Sequence, residues 1–131
     1  MFQKGRPLTA TERAFCQPFF KADTLNEARI IHGHVPFWLK KCMCAVVLGR
    51  SIYMRKGAYL KAGKPTLADV KLLAHELTHV EQYLSGMTVI KYLWASRHGY
   101  RQNPYEIEAY ARGDYVALQV GNTLCEFTEI A

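Results

Sequence analysis

The stretch LLAHELTHVEQY, residues 72–83, carries the pattern on which the interpretation of the whole chain depends. Within it, His75 and His79 stand four residues apart, and Glu76 directly follows the first histidine. On an α-helix, residues i and i+4 lie on one face, so the two imidazoles can bind one metal ion. Glu76 lies about 100° further round the axis. A carboxylate there can take a proton from a water that the metal has acidified.

Signals on both sides of this stretch predict that it is helical. Thr66 and Asp69 have the spacing of a capping box, and Gly86 is suited to end the helix. An apolar stripe at helical spacing is separate from the two histidines, and it consists of Leu73, Leu77, Val80 and Leu84. The alternative interpretation is an ordinary surface helix whose two histidines are four residues apart by chance.

A third metal ligand is expected further along the chain, because a catalytic zinc ion usually has three protein ligands and a water. The candidates after the motif are His98, Glu106, Glu108 and Asp114. Glu106 shares its helical stripe with small residues, which would let its helix approach the HExxH helix closely. A carboxylate on such an inward face needs a partner, and a metal ion would be one. We therefore predict Glu106 as the third ligand.

Other roles for these residues remain open at this point. Glu106 also has the spacing of a capping residue after Asn103. Glu108 precedes Arg112 by four residues, as in an ordinary exposed ion pair. Glu108 and the loop residue His98 are nevertheless the alternatives to Glu106 as third ligand.

The rest of the chain predicts a single α+β domain over residues 1–131. A first helix begins near Thr9, and later helices cover residues 88–96 and 104–120, the last one stopping at Gly121. Short strands are predicted at residues 28–32, 45–48 and 51–54. We expect a small, mostly antiparallel sheet packed on the HExxH helix, with the helix of Glu106 crossing it.

The formal net charge of +6, from 17 Lys and Arg against 11 Asp and Glu, permits attraction to acidic partners. The basic residues look scattered, so we interpret them as a solvated basic surface, and we predict Trp38 and Trp94 as core anchors. The sequence has neither an arginine-rich helix nor a CxxC pair, and this argues against nucleic-acid binding. No apolar run approaches the roughly 20 residues of a membrane span.

The first fifteen residues, MFQKGRPLTATERAF, contain no apolar region ahead of a small-residue cleavage site. A Sec-type signal peptide is therefore not expected. The expected location is the cytoplasm, or outside the cell after export by a secretion system other than Sec.

Three stretches together resemble a known family. They are GRSIYMRKGAY at residues 49–59, LLAHELTHVEQ at residues 72–82 and NPYEIEA at residues 103–109, with a looser likeness at residues 29–32. They resemble the zincin-like domain of extracellular contractile injection system (eCIS) core-domain proteins and of related bacterial, toxin-associated zinc metallopeptidases.

The resemblance implies a minimal zincin-like fold in which His75, His79 and Glu106 bind Zn²⁺ and Glu76 is the general base. Many such enzymes have Asp or Asn where this chain has Tyr110, so the carboxylate that often steadies a ligand histidine is missing or supplied elsewhere. The function implied is a zinc-dependent endopeptidase acting on peptides or proteins, as a secretion-system effector, toxin or processing protease. Further candidate partners are a secretion-system component or an immunity protein. The alternative is a catalytically weak zinc-binding pseudo-enzyme or protein-binding module.

Two features of the substrate site follow as expectations. In zincins an edge strand beside the metal can pair with an extended peptide, and residues 51–54 are the candidate strand, unless Ile52 and Met54 merely fill the core. A donor to the developing oxyanion is expected in the connection between the two metal-binding helices. The candidates there are Tyr92, His98, Tyr100 and Arg101.

Overall fold

Five α-helices and three short strands make up this computed structural model, which describes the backbone of residues 5–130 and the side chains of residues 5–123. In chain order the elements are α1 (Ala10–Cys16), α2 (Ala22–Glu27), β1 (Arg29–His32), β2 (Ala45–Leu48), β3 (Ser51–Met54), α3 (Leu67–Leu84), α4 (Val89–Ala95), a 3₁₀ turn (Tyr100–Gln102) and α5 (Pro104–Ile130). The predicted α+β class with a small sheet is confirmed.

The three-stranded sheet has the order β1-β3-β2 and is mixed. β2 and β3 pair antiparallel across a tight turn at Gly49, which has a positive φ of 67°. β1 pairs parallel with β3, placing Ile30 opposite Ile52. The long connection after β1 permits this parallel pairing, which the local strand pattern alone did not reveal.

β3 is the central strand and therefore has a neighbour on both sides. Ile52 and Met54 are fully buried in the core. Residues 51–54 consequently do not form the exposed edge expected for peptide pairing, and their core role is the one that the structure supports. The outer strand next to β3 is β2 instead.

Both predicted capping boxes form. Thr9 caps α1 with Glu12, and Thr66 caps α3 with Asp69. α3 ends before Gly86, whose φ of 117° is readily adopted only by glycine. The predicted stop at Gly121 is wrong because α5 continues past it. One interior glycine costs a helix only about 1 kcal/mol and does not end it.

α3 lies at the centre of the fold, with the sheet on one side and α5 on the other. Leu73, Leu77 and Val80 are fully buried, as the apolar stripe predicted, whereas Leu84 is exposed. α5 approaches α3 so closely that a Cβ at Gly113 would lie 3.0 Å from the carbonyl oxygen of Lys71. Among the described residues, no helix combines the length and the apolar character needed to cross a bilayer.

Candidate metal centre

Three side chains converge where α3 and α5 face each other. The Nε2 atoms of His75 and His79 each lie 3.1 Å from the same carboxylate oxygen, Oε1 of Glu106. All three side chains are at least nine-tenths buried, and the three ligand atoms lie within 4.8 Å of one another. The structure thus brings together the two histidines of one helix and the predicted glutamate of the other.

The ring of His79 is held by Gln82 on its far side. Nδ1 of His79 lies 2.8 Å from Oε1 of Gln82. The amide nitrogen of Gln82 donates to the backbone oxygen of Tyr105 and to Glu108, at 2.9 and 2.6 Å. Because that nitrogen faces two acceptors, the amide oxygen faces His79 and accepts its Nδ1 proton. In neutral His79, Nε2 then carries the lone pair directed at the centre.

The donors fit a metal ion because they need a positive charge between them. A lone pair on Nε2 and an anionic oxygen repel one another at 3.1 Å unless a proton or a cation lies between them. Zinc–ligand bonds of about 2.0–2.1 Å in a tetrahedron imply ligand separations of roughly 3.3 Å, close to the two found here. Two imidazole nitrogens and a carboxylate oxygen are a donor set suited to zinc.

The electrostatics of these side chains favour a positive charge next to Glu106. Burial by itself raises the pKa of Glu106, but hydrogen bonds with His75, His79 and Tyr92 outweigh it and lower that pKa well below its usual range. Burial lowers the pKa of His79, yet the hydrogen bond to Glu106 and the charges of Glu76 and Glu106 raise it overall. The centre therefore favours an ionised carboxylate next to positive charge.

Glu76 lies beside this cluster but outside it. Its side chain is buried, and burial is the main cause that raises its pKa. It lines the same cleft as His75, His79 and Glu106. The carboxylate is thus close to the metal-binding atoms without being one of the three that converge, as the one-residue offset along the helix predicts.

Tyrosines surround the centre. The hydroxyl of Tyr92 donates to Oε2 of Glu106 at 2.5 Å, so it orients the carboxylate. The ring of Tyr110 packs edge-on against His75 at 4.4 Å, and its hydroxyl lies 3.2 Å from that of Tyr100. Tyr110 thus packs on the ring of His75.

Of the four candidate oxyanion donors, Tyr92 and Tyr100 line the cleft at the metal centre. His98 and Arg101 are exposed, and neither lines that cleft. Position alone therefore reduces the candidates to two tyrosines.

The alternative ligands have other contacts. His98 is exposed and outside the cluster, and Asp114 pairs with Lys71 at 2.8 Å on the surface. Glu108 accepts a hydrogen bond from Gln82, so it supports the centre from behind rather than merely pairing with Arg112. Asn103 caps α5 through the backbone N–H of Tyr105, and the Glu106 carboxylate points to the histidines instead of the cap.

The centre opens into a cleft of about 480 Å³. His75, Glu76, His79 and Glu106 all line it. β2 lines it too, together with residues of the preceding loop, residues 36–43, which we call the rim loop. Met87 and residues of α4 complete the lining. A molecule in this cleft can reach the metal-binding atoms and Glu76 together.

A comparison with protein families identifies the family of this chain. The model of the eCIS core domain family matches residues 7–87, which is more than half of the chain. The chain belongs to this family. Neither a curated protein nor a solved structure matches it.

The match includes α1, the sheet and α3, and therefore His75, Glu76 and His79. It ends at Met87, before α4 and α5, so the place of Glu106 rests on the geometry alone. The eCIS core domain predicted by resemblance is confirmed. Sequence reasoning missed Gln82, although its position three residues after His79 on the same helix was the available signal.

Proposed function

We propose that this eCIS core domain is a zinc-dependent endopeptidase. The observation that carries the proposal is that three residues with convergent ligand atoms line an open cleft, together with the buried Glu76. Structural zinc sites are closed by four protein ligands, whereas catalytic sites have three and keep one position accessible. Three donors facing a cleft favour a catalytic role.

The roles of the side chains follow from their positions. His75, His79 and Glu106 would hold Zn²⁺, which supplies Lewis acidity that makes a bound water acidic and polarises a peptide carbonyl. Glu76 accepts the proton of the attacking water and delivers it to the leaving amine. Tyr92 orients Glu106 with its one hydroxyl proton, so the hydroxyl of Tyr100, which also lines the cleft, is the donor available to the oxyanion.

β2 is the strand that we propose pairs with an extended substrate. It is the outer strand of the sheet beside β3, and all four of its residues line the cleft. Backbone hydrogen bonds along such an edge hold a peptide with little dependence on its sequence. A chain held in this way can extend past the metal centre in both directions, which suits cleavage within a polypeptide rather than at its end.

The family supports an effector-associated module of an injection system as the setting. Within that setting we propose a peptidase effector or toxin, or a processing protease. The substrate is then a protein of the target or of the system itself. An immunity protein or a system component would be its partner.

The decisive experiment compares wild-type protein with Glu76→Gln and Glu106→Ala, for zinc content and for cleavage of an unfolded protein substrate. We expect about one zinc per chain in wild type and in Glu76→Gln, and much less in Glu106→Ala. Cleavage should occur in wild type alone. If wild type holds zinc but cleaves nothing, the domain is a zinc-binding pseudo-enzyme or binding module. If it holds no zinc when zinc is supplied, the metal centre itself is rejected.

A further inference from the structure

The largest exposed apolar side chains of the described structure are concentrated in the rim loop and in α4. In the rim loop Phe37 is 99% exposed and Trp38 is 56% exposed. In α4 the exposed fractions are 79% for Ile90, 62% for Leu93 and 68% for Trp94. The prediction that Trp38 and Trp94 anchor the core is therefore wrong, because both rings face solvent.

These two segments line the same cleft. Trp38 lines the cleft on the rim-loop side, and Val89 and Leu93 line it on the α4 side. Their chain neighbours Phe37, Ile90 and Trp94 do not line this cleft, and Ile90 and Trp94 line a different one. The rim loop is held in place by Arg55, whose guanidinium donates to the backbone oxygens of Met43 and Lys40 at 3.0 and 3.1 Å.

The charge of both segments has one sign. Every charged residue in residues 28–68, which include the rim loop, is lysine or arginine. The same holds for residues 82–105, which include α4, where the charged residues are Lys91, Arg97 and Arg101. Eleven of the 17 Lys and Arg residues in the sequence thus lie in these two acid-free stretches. Lys40 and Lys41 are exposed in the rim loop beside the aromatic residues.

A substrate peptide in the cleft would cover only part of this surface. Phe37, Ile90 and Trp94 do not line the cleft, so a chain that fills only the cleft leaves them uncovered. Protein interfaces are depleted in lysine, and Lys40, Lys41 and Lys91 lie among the apolar residues. Exposed Trp, Phe and Leu interleaved with Lys and Arg are typical of surfaces that lie in the headgroup region of a bilayer.

We propose that the rim loop and α4 together form a binding surface for anionic lipid bilayers. Phe37, Trp38 and the apolar residues of α4 enter the interface, while Lys40 and Lys41 meet the acidic headgroups. The cleft mouth then faces the membrane surface, and the chain lies on the bilayer without spanning it. This proposal does not depend on the proposed peptidase activity.

The chain contains its own reporters for a test. Its two tryptophans, Trp38 and Trp94, both belong to the proposed surface. Intrinsic fluorescence is measured while vesicles of phosphatidylcholine, with or without phosphatidylserine, are added to the full chain. We expect a blue shift and quenching by lipids with brominated acyl chains, on vesicles that contain phosphatidylserine. Raised salt should weaken the binding because screening reduces the attraction between exposed charges.

Two variants separate the charge from the apolar contribution, and co-sedimentation with vesicles gives their partition coefficients. Lys40→Gln with Lys41→Gln should lower the coefficient about 25-fold, since each basic residue near an anionic surface contributes about fivefold. Phe37→Ser with Trp38→Ser should lower it about tenfold or more. Each pair has a matched control pair of exposed residues that do not line the cleft. Lys61→Gln combined with Lys64→Gln is the control for charge. Leu67→Ser combined with Leu118→Ser is the control for apolar contact. Both controls should bind like wild type.

Several results would overturn the proposal. One is the absence of a fluorescence shift and of co-sedimentation on phosphatidylserine vesicles. Another is binding that the control pairs weaken as much as the rim-loop pairs do. A third is self-association by wild type without lipid binding, abolished by the Phe37 and Trp38 changes, which would make this surface a protein interface. Because all substituted side chains are exposed, circular dichroism should show folded protein in every case.

Discussion

Gln82 fixes the tautomer of His79, with its amide oxygen 2.8 Å from Nδ1 and its amide nitrogen bound to Tyr105 and Glu108 on α5. The relationship links one candidate metal ligand on α3 to the helix that carries another, Glu106. In many metal sites a carboxylate accepts the second ring proton of a ligand histidine and so orients the ring. Here the amide of Gln82 accepts that proton, and the carboxylate of Glu108 accepts in turn from the amide.

Replacing Gln82 with methionine should weaken zinc binding by about 10–100-fold, the usual cost of losing an orienting partner behind a ligand histidine. Methionine keeps the approximate volume but cannot accept the Nδ1 proton, so His79 loses its fixed tautomer. Competition with a chromogenic chelator measures the zinc dissociation constant. Glu108→Gln should give a smaller loss, because it removes a charge but keeps an acceptor for the Gln82 amide.

Gln17→Met is the matched control for this substitution. Gln17 is exposed at the end of α1, so its replacement should leave zinc affinity unchanged. Equal affinities for the Gln82 and Gln17 variants would show that Gln82 does not position His79.

Zinc should stabilise the folded protein through Glu106 and not through His98. A ligand that binds only the folded state at one hundred times its dissociation constant adds about 2.7 kcal/mol. For a chain of this size that corresponds to a rise in Tm of roughly 10 °C. We expect this rise in wild type and in His98→Ala, and almost none in Glu106→Ala, measured by differential scanning calorimetry. A full rise in Glu106→Ala, or its loss in His98→Ala, would reassign the third ligand.

The parts of the site that the sequence predicted depend on local helix geometry. His75, Glu76 and His79 lie on one helix, so their spacing alone places two imidazoles together and the carboxylate beside them. Glu106 could be predicted as a ligand because small residues on its helical stripe indicated that two helices pack closely. Gly113 provides that close approach. The strands predicted at residues 28–32, 45–48 and 51–54 followed from β-branched and aromatic residues between turns, and the structure begins the first one residue later.

The parts that the sequence did not reveal depend on contacts between distant segments. β3 became central because β1 joins its other edge, a pairing across more than twenty residues that period-two patterns do not encode. The contact of Gln82 with Glu108 requires the register of α5 on α3. Trp38 and Trp94 were assigned to the core from their residue type, but exposure depends on what packs above them.

The buried carboxylate of Glu12 should make stability depend on pH. It accepts two hydrogen bonds from Arg6, at 2.7 and 3.0 Å, and one from the hydroxyl of Tyr59. Burial raises the pKa of Glu12, but these bonds and the backbone N–H of Thr9 outweigh it and lower that pKa below its ordinary value of 4.5. A group with a lowered folded-state pKa stabilises the fold above its unfolded pKa. That stabilisation is lost as the pH falls through the folded pKa.

Glu12→Gln should therefore lower the free energy of unfolding by roughly 2–3 kcal/mol at neutral pH, because it breaks a charged, buried hydrogen-bond network. The difference from wild type should shrink as the pH falls below about 4.5. Urea denaturation at a series of pH values measures it. Glu27→Gln is the control, since the exposed pair of Glu27 with Arg50 is worth less than about 1 kcal/mol. A pH-independent difference for Glu12→Gln would contradict the role of its charge.

The approach of α5 to α3 can be tested with two glycines of the same helix. A Cβ at Gly113 would lie 3.0 Å from the backbone oxygen of Lys71 and 3.5 Å from Cβ of His75. A Cβ at Gly121 would instead meet the flexible end of Leu67 at 3.4 Å. Alanine in a helix interior is favoured over glycine by about 1 kcal/mol, but backbone crowding in a packed contact costs about 1–3 kcal/mol.

Gly113→Ala should therefore destabilise the protein by about 1–2 kcal/mol, whereas Gly121→Ala should be neutral or stabilising by up to about 1 kcal/mol. Gly113→Ala should also weaken zinc binding, because pushing α5 away from Lys71 moves Glu106 away from the two histidines that it meets at 3.1 Å. Chemical denaturation and chelator competition on both variants measure the two effects. If both alanines stabilised the protein and left zinc affinity unchanged, the helix spacing at Gly113 would not be what holds Glu106 in the metal centre.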